Sequence, residues 1–136
     1  MILGFDPGRD KCGLAVVGDN YQIYYHQIVD SKVAIATIQK LFKDYSIEKL
    51  VMGDRTTSKI WQSQLKENLD RDTDIIMVDE HNSTLEARDR YWHIYPPTGL
   101  TKLIPRGMRV PPRPVDDIVA IILIERYLSS KNNQPF

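Results

Sequence analysis

The sequence predicts an α/β domain on a mixed five-stranded sheet, three antiparallel strands followed by two parallel crossovers, flanked by helices. Three observations point there. Two apolar runs, Ile2 to Asp6 and Lys11 to Val17, are separated by a turn through Pro7 and Gly8, the pattern of a hairpin. Helix-spaced segments and short apolar runs then alternate, as in crossover units. The stretch from Val115 to Leu128 is so apolar that it reads as a helix buried against a sheet.

The elements follow in order. Tyr21, Ile23 and Tyr25 alternate after the Gly18-Asp19-Asn20 turn, so Tyr21 to Val29 is expected as a third strand. Ser31 is placed to cap a helix carrying Ala34, Ile38, Leu41, Phe42 and Tyr45 on one side, and Lys49 to Gly53 returns as a buried strand. A helix over about Thr57 to Leu69 leads to an apolar strand from Asp74 to Asp79. Ser83-Thr84-Leu85-Glu86 has the spacing of a capping box, opening a helix that runs to Trp92 or His93. From Tyr95 to Pro114 the prolines and glycines interrupt any regular element, so a long loop precedes the last helix. This element order is that of the ribonuclease H-like fold, an analogy of architecture and not of activity.

The chain of 136 residues suits one domain, expected over 1–130 with a polar tail at 131–136. Its hydrophobic share of 42% and charged share of 26% are ordinary for a globular protein. No apolar run approaches the roughly 18 residues of a membrane span, so no membrane partner is expected. The N-terminus has no basic n-region or cleavage site, and the single Cys12 lies in a predicted strand. A reducing, cytoplasmic setting without disulfides is the expectation.

Net charge is zero, yet its distribution is uneven. Residues 88–113 carry Arg88, Arg90, Lys102, Arg106, Arg109 and Arg113 against Asp89, a segment of +5 in a chain whose remainder is −5. Such a segment can steer a polyanion or can simply be solvated. Lys102, Arg106, Arg109 and Arg113 lie in the long loop that adjoins Asp116, which favours contact with phosphates. Arg88, Trp92 and Tyr95 recur at helical spacing; Trp92 can stack on an unpaired base, or pack in a core or dimer interface.

Three acidic positions fall at element ends: Asp6 ending the first strand, Asp79-Glu80 ending the last, and Asp116-Asp117 opening the last helix. Parallel strands share one carboxyl edge, so Asp6 and Glu80 can converge there. Carboxylates gathered without a base between them repel unless a cation joins them, and a hard ion such as Mg2+ (or Mn2+) suits oxygen donors. Each has a plainer use as well. Asp6 can bond the amides of its own turn, Asp79 or Glu80 can be a strand-end polar residue, and Asp116 and Asp117 can favour a helix dipole. His81 reads as a solvated loop residue rather than a ligand.

Gly4-Phe5-Asp6-Pro7-Gly8 with Gly13-Leu14-Ala15-Val16 resembles the opening of the RuvC/YqgF family of ribonuclease H-like resolvases. Val78-Asp79-Glu80-His81-Asn82-Ser83-Thr84-Leu85-Glu86-Ala87-Arg88 resembles that family's Asp-Glu-Arg-x-Ser/Thr-Thr-x-x-Ala motif. Val115-Asp116, with Ala120 and the apolar residues that follow, is similar to its closing helix. The resemblance implies a metal-dependent endonuclease acting on structured DNA or RNA, either branched DNA such as a Holliday junction or precursor ribosomal RNA. Asp6, Glu80 and Asp116 would be catalytic metal ligands, with Asp117 a fourth, and the products a 5′ phosphate and a 3′ hydroxyl. The family's basic residue after Asp-x-Gly is matched by Arg9 or Lys11. This sequence departs from the pattern at His81, where the family has Arg, and at Gly53-Asp54-Arg55-Thr56-Thr57-Ser58, which lacks a Gly-x-Pro.

Two other readings compete. Sugar kinases and actin-like ATPases also open on a strand ending Asp-x-Gly, but need two lobes, which this length does not provide. A noncatalytic nucleic-acid-binding or interaction module could keep the same fold. Symmetric cleavage of a junction would call for a homodimer.

Overall fold

In the computed structural model, which describes residues 1–55, 57–70 and 72–132, five strands form one sheet. They are β1 (Ile2–Asp6), β2 (Lys11–Val17), β3 (Ile23–Asp30), β4 (Lys49–Gly53) and β5 (Asp74–Val78), in the spatial order β3-β2-β1-β4-β5. β1 to β3 are an antiparallel meander, whereas β4 and β5 add in parallel beyond β1. The carboxyl ends of β1, β4 and β5 therefore lie along one edge.

Alternation on the central strands assigns the two faces. Leu3, Phe5, Cys12, Leu14, Val16, Leu50 and Met52 pack against α1 (Ala34–Asp44) and α2 (Ser58–Asn68). Ile2, Ala15, Val17 and Val51 face α3 (Ser83–Ile94) and α4 (Asp116–Asn132). From Ile118 to Ile124 every residue of α4 is buried. This follows from its position between the sheet and α3, which leaves no solvent side for a polar stripe.

Local chemistry shifts several boundaries. β3 begins at Ile23, because Tyr21 takes a positive φ of 67° in the turn where its amide donates to the Gly18 carbonyl. Ser31 does not cap the first helix. Asp30 accepts from the Lys32 amide at 2.9 Å and starts a short 3-10 turn before α1, while the Ser31 hydroxyl donates to the Gly8 carbonyl at 3.0 Å. The expected capping box is not formed either. Ser83 is already the first helical residue, the cap position belongs to left-handed Asn82 (φ 58°), and the Ser83 hydroxyl is buried without a partner.

Residues 95–115 form the expected loop, with 3-10 turns at Gly99–Leu103 and Arg106–Met108. α4 extends to Asn132, so the first two residues of the expected tail continue the helix; residues 133–136 lie outside those described. Among the described residues no helix is long and apolar enough to cross a membrane.

Candidate metal centre

Asp6 ends β1 on the face covered by α4 and is 3% exposed. Across the sheet its register partner is Gly13 of β2. A Cβ on Gly13 would lie 1.8 Å from the Asp116 carbonyl oxygen, so the missing side chain is the space in which the first turn of α4 sits. That contact brings Asp116 beside Asp6, close enough for the two carboxylates to raise and lower each other's proton affinity.

On the other side of β1, β4 pairs Met52 with Phe5, so Gly53 follows at the level of Asp6. A Cβ on Gly53 would meet Glu80 Oε2 at 2.5 Å. One glycine thus seats the start of α4 and the other seats the carboxylate of Glu80, with Asp6 on the strand between. Glu80 lies two residues beyond β5, in a turn where Asp79 accepts from the His81 amide at 3.0 Å. Asp79 is therefore the turn residue and Glu80 the one that faces the cluster; His81 is exposed.

Electrostatics are what such crowding dictates. Burial, followed by the charges of Asp116 and Glu80, pushes the Asp6 carboxyl up to about 7 against the opposing pull of Arg55. Glu80 and Asp116 are raised for the same leading reason, burial, again opposed first by Arg55. Asp6 Oδ1 and both Glu80 oxygens are buried without a hydrogen bond. An unpartnered buried oxygen costs about 1–3 kcal/mol, more when charged, unless a proton or a cation arrives.

Arg55 was not among the expected site residues. It follows β4 at the same sheet edge, and its Nε lies 2.9 Å from Glu80 Oε2 in an ion pair without hydrogen-bond alignment. The shared carboxyl edge of parallel strands is the signal that locates it. Thr56 lies outside the described residues. Lys11 adds positive charge near Asp116.

Asp117, expected as a fourth ligand, is engaged elsewhere. It is 2% exposed, accepts from Arg113 at 3.0 and 3.2 Å, and bonds His26 Nδ1 at 2.7 Å. Burial raises its pKa, but the Arg113 and His26 hydrogen bonds outweigh that and hold it below the usual value. The one-residue step along α4 turns Asp116 and Asp117 to different neighbours.

Much of the basic segment is likewise paired with groups of the same chain, Arg106 at the surface. Arg113, besides Asp117, stacks over Tyr91 at 5.4 Å and Tyr95 at 5.6 Å. Arg106 pairs with Asp89 at 3.0 Å and touches His93, and Arg109 donates to the Ile104 carbonyl at 2.9 Å. Trp92 is partly buried against the α3/α4 core, edge-on to Tyr91 with its Nε1 buried. Arg9, Lys11, Arg88 and Lys102 are exposed and make no side-chain hydrogen bond or ion pair among the described residues.

The donor set fits a hard cation in its chemistry: three carboxylates, one deeply buried with a free oxygen, and a glycine cradle beneath a second. Among the described residues no three His, Cys, Asp or Glu side chains are close enough to form a ready-made metal set. Arg55 supplies the positive charge there.

No protein-family model matches the chain, and no curated protein matches it. Among solved structures, RuvC of Thermus thermophilus aligns over 98% of this chain and 96% of its own, with a TM-score of 0.57 at 12% identity. A sugar-kinase candidate from Cytophaga hutchinsonii aligns over 68% of this chain, which spans 39% of that protein, with a TM-score of 0.46 at 12% identity. The strand order together with the likeness to RuvC gives this chain the ribonuclease H-like fold.

Proposed function

We propose that this protein is a divalent-cation-dependent endonuclease acting on structured nucleic acid, a divergent member of the RuvC/YqgF family. The observation that carries this reading is the buried, hydrogen-bond-free Asp6 Oδ1 at the carboxyl edge of the sheet, within the charge influence of Asp116 and Glu80. Asp6, Glu80 and Asp116 would hold Mg2+ or Mn2+; Asp117 is left out because Arg113 and His26 occupy it. Bound there, a divalent ion supplies charge neutralisation for a scissile phosphate and acidifies water. Asp6 is fixed by the strand and Asp116 by the helix start, so two of the three carboxylates sit on rigid elements. Net hydrolysis adds water across the P–O3′ bond, leaving a 5′ phosphate and a 3′ hydroxyl.

The exposed Arg9, Lys11, Arg88 and Lys102 are the residues free to meet phosphates, and they position a substrate without reading its sequence. The buried Cys12 thiol, bonded to Ser31 and the Gly8 carbonyl, suits a reducing cytoplasm. A homodimer goes with a symmetric junction substrate, and a solution mass measurement checks it.

One observation favours a second reading, a nucleic-acid-binding module without catalysis: Arg55 already opposes the charge of Glu80. Incubation of a four-way DNA junction and a structured RNA with Mg2+ or Mn2+ separates the two. Cleavage by the wild type that is lost in Asp6→Asn supports the nuclease. Equal binding with no cleavage by either protein supports the module, and neither binding nor cleavage overturns both.

A further inference from the structure

Arg55 occupies a place that the chemistry of the site makes consequential. Its backbone is fixed, since the Ser58 amide donates to the Arg55 carbonyl at 2.9 Å where α2 begins. Its side chain is 47% exposed and reaches from the solvent side to Glu80, whose own side chain is 10% exposed. The guanidinium is always charged. It stands near the carboxylate oxygens that an incoming divalent ion must use, and like charges so close repel strongly in a partly desolvated pocket. The ion pair lacks hydrogen-bond alignment, so it can be displaced without breaking a well-formed bond.

We infer that Arg55 is the resident counter-cation of the acidic cluster, competing with the divalent ion for Glu80 and holding down the metal affinity of the free protein. The inference rests on the carboxylates being a cation site, as proposed above. It is a role for a residue outside the ligand set: Arg55 acts through Glu80 and touches no reacting atom.

The test is Mn2+ titration of the full chain by calorimetry, without nucleic acid, on wild type, Arg55→Gln, Arg55→Lys and the double variant Asp6→Asn/Arg55→Gln. Arg55→Gln is expected to bind Mn2+ at least about tenfold tighter than wild type, and Arg55→Lys, which keeps the charge, to stay nearer wild type. The double variant is expected to lose the binding. A melting temperature read in EDTA and in Mn2+ gives a second measure: Arg55→Gln should melt lower than wild type in EDTA and gain more from Mn2+. Should Gln fail to fold, Arg55→Met, which retains the apolar stem, takes its place. Asp6-dependent Mn2+ binding that is no tighter in the Arg55 variants overturns the inference and leaves the nuclease reading standing. Mn2+ binding that does not depend on Asp6, or no binding in any variant, overturns both.

Discussion

Gly13 and Asp116 are in backbone contact: the space where a Gly13 side chain would stand is filled by the Asp116 carbonyl oxygen, 1.8 Å from an ideal Cβ. Because Gly13 is also the register partner of Asp6, this close approach sets the distance between the end of β1 and the start of α4. Gly13→Ala must push α4 away from the sheet, since both opposing groups are backbone. The expected cost is about 1–3 kcal/mol, typical of overpacking, read as a lower midpoint in urea denaturation. Mn2+ binding at the cluster is expected to weaken with it.

Gly53→Ala gives the opposite balance. Its Cβ would meet the end of the Glu80 side chain at 2.5 Å, and that end can swing away. Stability is expected to change by less than about 1 kcal/mol, while Mn2+ affinity and cleavage both fall because Glu80 is displaced. A Gly53→Ala protein with wild-type metal binding would contradict the cradle assigned to this glycine.

The pH dependence of stability should carry the signature of Asp6. Its folded value of about 7 lies above the ordinary 3.8, so between those values the native state binds more protons than the unfolded chain. Stability of the metal-free protein therefore falls as pH rises across that window. Glu80 and Asp116, also raised by burial, slope the same way. Thermal melts in EDTA should show the decline, and Asp6→Asn should flatten it and raise stability at neutral pH. Asp117 acts in the opposite sense: its lowered value gives stability present above 3.8 and lost as pH falls through the depressed value.

Asp117 should prove a structural residue. Removing it strands Arg113 and His26 around a buried position, so Asp117→Ala is expected to cost about 3 kcal/mol. A double-mutant cycle with Arg113→Ala should show coupling, because the two share one ion pair at 3.0 Å.

Nucleic-acid affinity should divide the basic residues into two groups. Lys102→Gln and Arg88→Gln are expected to weaken binding about equally on all sequences and to reduce the salt slope by about one each. Arg113→Gln should instead lower the melting temperature, since its guanidinium is held by Asp117 and two tyrosine rings. Salt titrations of binding alongside melts distinguish the two effects.

The sheet, its helices and the element ends carrying Asp6, Glu80 and Asp116 were legible from apolar period and from turn residues, because these signals are local. The caps were less so. Ser31 and the Ser83 to Glu86 spacing both read as helix starts, yet Asp30 and Asn82 took those positions once the hairpin turn and the Glu80 turn claimed the backbone around them.

What the sequence determined by itself was periodicity: which residues face the core, where strands end, and hence which carboxylates lie at one sheet edge. Only the tertiary structure decided partners. Asp116 and Asp117 look alike in sequence, but a step of one residue on a helix turns one toward Asp6 and the other toward His26 and Arg113. Arg106, Arg109 and Arg113 read as free positive charge until folding supplied acceptors, and Arg55 entered the site because β4 lies beside β1. Such pairings join residues distant in sequence, and the packing of α4 on the sheet, which brings several of them together, depends on close backbone approach at a residue with no side chain of its own, Gly13.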